Sequence, residues 1–168
     1  MLMNGKVIKY EIKDINTDLI IPARYLIKSD PNYLAEHCME DLDPSFIQKI
    51  EENNYKILVA GSNFGCGSSR EQAPLSLKAS GIQCIIASSF ARIFFRNAIN
   101  IGLPILEFKD IDNLNTGDDL DIVFSEGIIR NFSQKMEFKV SKMPTFLQEI
   151  IFADGLINYA RNIILMKD

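Results

Sequence analysis

Residues 55–74 read YKILVAGSNFGCGSSREQAP. The opening run, YKILVA, is apolar at the length of a buried parallel strand, and from Ser69 the chain turns into the helix-like SREQAPLSLKASG, with Gly81 as its C-cap. The turn between them, GSNFGCGSSR, packs three glycines, three serines and a cysteine into ten residues. Working outward, CIIASS (84–89) and LPILEF (103–108) are two more short apolar runs. They are separated by SFARIFFRNAINIG (89–102), where Phe90, Ile93, Phe94, Ala98 and Ile101 fall near helical spacing. Strand–helix–strand–helix–strand from 56 to 108 predicts a parallel α/β unit.

The flanks differ. KVIKYEI (6–12) alternates as a strand, and DINTDLIIPARYL (14–26) follows as an irregular loop. DPNYLAEHCM (30–39) and DPSFIQKIEENN (43–54) each open with Asp-Pro, a helix-start signal. DDLDIVF, GIIRNFS and KMEFKV (118–140) read as a meander, and residues 144–168 as helix interrupted at Asp154–Gly155. The expectation is α/β: one domain over 1–168, with a central parallel strand–helix–strand unit and a β-rich flank.

Composition narrows the chemistry. A formal net charge of −4 leaves no broad basic footprint for nucleic acid. No apolar run reaches the roughly 18 residues of a membrane span, and the N-terminal residues lack the apolar core of a signal peptide, so the cytoplasm is expected. Cys38, Cys66 and Cys84 form no C-x-x-C pair, and His37 is the single histidine. Neither a disulfide framework nor a complete zinc or iron–sulfur site is encoded. Chemistry here must run on hydroxyls, carboxylates, arginines and backbone dipoles, or on groups supplied from elsewhere.

The glycine-rich turn suits an anion. Gly61, Gly65 and Gly67 permit positive φ and close backbone approach. Ser68 and Ser69 are read as N-cap and first-turn residues, where unpaired N–H groups and the helix dipole favour negative charge. Arg70 adds a planar cationic fork matched to carboxylate or phosphate. Taken alone, the same residues also describe a capped helix with a surface ion pair. Arg92 and Arg96 open the next helix, and the two turns preceding these helices lie at the carboxyl ends of strands, where open α/β sheets gather ligands.

GSNFGCGSSREQAP followed by SSFARIFFRNAINIGLPIL, with INTDLIIPARYL upstream, resembles the small subunits of isopropylmalate isomerase (3-isopropylmalate dehydratase) over nearly the whole chain. These are free-standing counterparts of the swivelling domain of aconitase. The resemblance implies a swivelling β/β/α domain and a large partner subunit carrying a 4Fe–4S cluster, with no cofactor on this chain. It implies a small dicarboxylate substrate and reversible dehydration between 2- and 3-isopropylmalate through 2-isopropylmaleate, in leucine biosynthesis. Residue by residue, Ser68 matches the proton-transferring serine and Asp18 an aspartate that reaches the active site. Arg70, Ser69 and Arg24 match substrate-binding positions. Ile27 stands where the variable substituent is met, and an aliphatic residue there goes with isopropyl rather than an extra carboxylate.

Two departures stand out. Gln72 replaces a histidine common in relatives, and Lys28 beside Ile27 could receive a carboxylate if it turned inward. Sister hydro-lyase small subunits (homoaconitase, citraconate or dimethylmalate hydratase) and a stand-alone dicarboxylate-binding module remain the alternatives. Cys66 is read as a packed or mildly reactive thiol and His37 as structural or merely exposed.

Overall fold

The computed structural model describes residues 1–165, so the end of the expected 1–168 domain and of its last helix lies outside the described residues. The apolar runs pair as strands. β1 (Leu2–Tyr10), β2 (Tyr55–Ala60), β3 (Cys84–Ala87) and β4 (Ile105–Glu107) run parallel, and β5 (Asp119–Val123), β6 (Ile128–Asn131) and β7 (Met136–Lys139) continue as an antiparallel meander. All seven form one sheet in the order β4-β3-β2-β1-β5-β6-β7. Ile57 to Ala60 and all of β3 are buried, which is why these strands read as continuous apolar runs rather than alternating ones.

The expected β-rich flank, β5 to β7, continues the same sheet as the parallel unit. β1 joins the halves: Lys6 to Tyr10 pair parallel with β2, while Leu2 to Lys6 pair antiparallel with β5. The register shifts between Lys6 and Val7, where the strand changes its main partner.

Helices close over the parallel half. α4 (Gln72–Ala79) connects β2 to β3, and α5 (Arg92–Asn100) connects β3 to β4. α5 buries Phe94, Ala98 and Ile99 and leaves Arg92 and Arg96 exposed, an amphipathic split at helical spacing. The loop expected over 14–26 contains a helical turn, α1 (Thr17–Ile20), and a 3₁₀ turn at Ala23–Tyr25. α2 (Pro31–Glu36) packs on α4, and α3 (Phe46–Asn53) leads into β2. α6 (Thr145–Phe152) and α7 (Leu156–Leu165) are broken at Asp154–Gly155, as expected, both residues having positive φ.

Candidate active site

Parallel strands deliver their connections to one edge. The segments leaving β1, β2 and β3 are stitched together there by backbone hydrogen bonds. Asp14 N donates to Ser62 O (2.9 Å), Gly65 N to Ile15 O (2.8 Å) and Thr17 N to Cys66 O (2.9 Å). On the other side Phe64 N donates to Ser89 O (3.0 Å) and Ala91 N to Phe64 O (3.0 Å). The glycine-rich segment is thus a central ribbon between its two neighbours. Beneath it Phe64 meets Phe94 edge-on at 5.2 Å, and Phe94 lies parallel to Phe90 at 6.3 Å. Gly65, at φ 77°, rests directly on the Phe94 ring, where any side chain would overlap it. Gly67, at φ 92°, then turns the chain outward.

That turn carries Ser68, Ser69 and Arg70 to the surface edge. Thr17 Oγ1 donates to Ser68 O at 3.1 Å, tying the turn to the first residue of α1. α4 starts at Gln72, with Glu71 at its N-cap and no side-chain cap bond. The expected capping role of Ser68 and Ser69 is corrected on this point: both precede the helix and are exposed. Among the described residues, the backbone N–H groups of Ser69, Arg70, Glu71 and Gln72 donate to no protein acceptor, and the Ser68 hydroxyl is unpaired.

Arg70 comes from this turn and Asp18 from α1, 52 residues away in sequence, yet Arg70 Nη1 donates to Asp18 Oδ1 at 2.7 Å and to Ile21 O at 3.2 Å. Asp18 is set by Asn16, whose Oδ1 caps α1 by accepting from the N–H groups of Asp18 and Leu19, each at 3.0 Å. The Arg70 side chain is only 13% exposed while that of Asp18 is 57% exposed, so the guanidinium is walled in and its carboxylate partner faces out. Two supporting residues escaped the sequence reading. Thr17 locks the turn, and Asn63 ties it to both neighbours, through Nδ2 to Asp14 Oδ1 (2.7 Å) and through its N–H to Ser89 Oγ (2.9 Å). Asn16 had a readable signal, a capping side chain just before a short helical turn.

The other candidate side chains make no hydrogen bond to Ser68, Arg70 or Asp18 among the described residues. Arg24 makes a two-pronged pair with Asp41 (2.9 and 2.5 Å) and reaches Glu40 at 3.5 Å, so it is engaged by acids rather than by the Ser68–Arg70 turn. Its guanidinium is held charged far above any working pH, chiefly by the Asp41 hydrogen bond. Ile27 projects with 80% of its surface exposed, and the Lys28 ammonium lies over the Tyr33 ring at 4.6 Å rather than beside Ile27. Gln72 is half-buried as the first residue of α4. His37 is a packing residue: its ring stacks on Tyr25, and Nδ1 lies 2.8 Å from Glu40 Oε2.

The cysteines do not form a metal site. Cys38 and Cys84 are fully buried, and burial pushes the Cys38 thiol up to about 12 and the Cys84 thiol up further. Cys66 is half-buried, its thiol also raised by burial and by the Asp14 charge. Thiolates at these three places do not fit a cluster, and among the described residues no group of three or more His, Cys, Asp or Glu could hold a metal.

The family model for the aconitase C-terminal domain matches residues 3–111, which contain all three connections. The 3-isopropylmalate dehydratase small subunit of Caldanaerobacter subterraneus subsp. tengcongensis is 60% identical over 160 residues, 95% of this chain and 98% of that one. That of Clostridium beijerinckii is 53% identical, covering 96% and 99%. The chain belongs to the family of 3-isopropylmalate dehydratase small subunits. The crystal structure of a 3-isopropylmalate dehydratase from Methanocaldococcus jannaschii superposes with a TM-score of 0.91 at 41% identity, covering 99% of this chain and 98% of that chain. A small subunit has a large one as partner. Among the described residues no helix is long and apolar enough to cross a membrane.

Proposed function

We propose that this small subunit completes the active site of a dehydratase that interconverts 2- and 3-isopropylmalate, with Ser68, Asp18 and Arg70 as its working residues. The observation that carries this reading is the open edge at which Ser68 is exposed beside the Arg70 guanidinium and its outward-facing partner Asp18. A second surface must cover that edge, and the large subunit is the partner we assign to it. The 4Fe–4S cluster expected on that subunit would supply Lewis acidity toward the substrate hydroxyl.

On this chain, Ser68 as alkoxide takes the proton from the carbon beside the departing hydroxide, leaving the C=C double bond of 2-isopropylmaleate. It returns the proton when water adds back at the neighbouring carbon. A serine hydroxyl is a poor base in water, and its anion needs fixed positive dipoles and charge close by. The unpaired N–H groups of 69–72 and the Arg70 guanidinium supply both. Asp18 and Ile21 O occupy Nη1 of Arg70, fixing the plane of the fork, and the remaining N–H groups are available to a substrate carboxylate. Ser69 adds a hydroxyl to the same carboxylate, and Ile27 meets the isopropyl group. Arg24 assists only if substrate competes with Asp41 for it. We assign the assembly to the cytoplasm, where the free thiols of Cys38, Cys66 and Cys84 stay reduced.

The test is reconstitution. The purified chain alone should contain no iron and turn over neither malate, and anaerobic mixing with the large subunit should restore isomerisation. Turnover by this chain alone overturns the two-subunit reading. Dicarboxylate binding with no activity in the mixture would make it a binding module.

A further inference from the structure

The segment carrying Ile27 is pinned at nearly every other position. Arg24 is forked onto Asp41 and lies over one face of the Tyr25 ring, 4.6 Å from its centroid. The Tyr25 ring is stacked on His37 with centroids 3.7 Å apart and planes within 2°. The Tyr25 hydroxyl donates to Glu40 Oε1 at 2.8 Å, while His37 Nδ1 meets Oε2 of the same carboxylate at 2.8 Å. Tyr33 stands edge-on to His37 at 4.9 Å and receives the Lys28 ammonium on its ring. Leu26 packs against the core. Ile27 is the large apolar side chain of this segment left projecting into solvent. Six residues before it, Ile21 O is bonded to Arg70, so the segment is anchored at the site on one side and on the residues after α2 on the other.

We propose that Tyr25, His37 and Glu40 form a positioning unit that holds Ile27 at the substrate and thereby sets discrimination at the variable substituent. The proposal rests on the reading of Ile27 as the isopropyl contact. A pinned backbone matters here because an apolar contact has no directional bond to re-form once it shifts. Discrimination of one or two methyl groups is worth only about 10–200-fold, and it vanishes when the pocket wall moves away. Glu40 is the shared element. One carboxylate bridges the phenol of the pinned segment and the imidazole of the residue following α2, and the His37 hydrogen bond followed by that of Tyr25 holds its carboxyl below the usual range. Arg24 and Asp41 complete the charges facing the unit.

The experiment uses the reconstituted two-subunit enzyme and two substrates, 3-isopropylmalate and 3-methylmalate, with kcat/KM measured for each. The ratio of the two is the readout, since a merely structural role lowers both together. Ile27→Ala should reduce the ratio by roughly 10-fold. His37→Ala should reduce it by a similar factor through KM for 3-isopropylmalate, with kcat for 3-methylmalate within about twofold of wild type. His37→Phe, which keeps the ring but not the Glu40 contact, should recover part of the loss, and Tyr25→Phe provides a second variant that retains the stack. Combined with Ile27→Ala, His37→Ala should lower the ratio no further. If Ile27→Ala lowers the ratio while His37→Ala and Tyr25→Phe leave it unchanged, the positioning unit is refuted and the Ile27 reading stands. If Ile27→Ala itself leaves the ratio unchanged, the Ile27 reading fails and takes the positioning unit with it.

Discussion

Gly65→Ala is the sharpest structural test of how the active edge is built. Two costs act at this position. The backbone sits at φ 77°, where a Cβ costs about 1–2 kcal/mol. The new methyl would also lie 2.5 Å from Phe94 Cβ and closer still to its ring, and Phe94 is buried between Phe64 and Phe90. Forcing a methyl into such a packed site adds about 1–3 kcal/mol. Gly117 offers the control: its φ is 93° but a Cβ there meets nothing within 4 Å, so Gly117→Ala carries only the backbone cost. In a domain of this size each kcal/mol moves the melting temperature by about 2–4 °C. Gly65→Ala should therefore lower Tm by roughly 10 °C and Gly117→Ala by roughly 4 °C, read by differential scanning calorimetry on the isolated chain. Equal shifts for the two variants would refute the claim that contact with Phe94 fixes the turn beneath Ser68.

Arg70→Lys keeps the charge but replaces the planar fork with an ammonium that cannot pair bidentately with a carboxylate while holding Asp18 and Ile21 O. Losing one charge-assisted bond at about 1.5–3 kcal/mol should cut kcat/KM by about 10–100-fold, with KM and kcat both affected, whereas unchanged kinetics would place Arg70 outside the substrate site. Burial alone would raise the Asp43 carboxyl, but hydrogen bonds from Lys49, Tyr10 and Ser45 outweigh it and hold the group far below the usual range. A depressed carboxyl contributes stability that is complete above its unfolded value of about 4 and is lost as the pH falls below it. Asp43→Asn should thus separate from wild type in urea midpoint at pH 7, with a gap that begins to narrow only below about pH 4 and keeps narrowing at the lowest pH at which the chain stays folded; a gap independent of pH would contradict the assignment.

The alternation of strand and helix from 56 to 108 was legible because each apolar run is short and bounded by glycine or proline. The break at Asp154–Gly155 was readable for the same reason. What could not be read was any feature resting on distant pairing. Nothing local in β1 says that its first half will pair with β5 and its second half with β2. The cap expected at Ser68 and Ser69 failed because the turn, held at the Ser68 carbonyl by Thr17 some 51 residues upstream, runs on to Glu71 before the helix begins. Arg24 sits in a motif that suggests a substrate contact, but its partners Asp41 and Glu40 lie 16–17 residues further on and meet it only once α2 has folded back. The Ser68, Asp18 and Arg70 group was readable as a resemblance of motifs. Its geometry, one fork shared by Asp18 and Ile21, was not.

The central claim is that Ser68 moves the proton, and Ser68→Ala in the reconstituted enzyme tests it most directly. The side chain is exposed and unpaired among the described residues, so its removal should leave the melting temperature of the chain unchanged. The account predicts a loss in kcat on the order of 10²–10⁴, with KM for 3-isopropylmalate little altered, because the hydroxyl acts chiefly in the transition state. Turnover near the wild-type value would contradict it, leaving Ser68 as a turn residue.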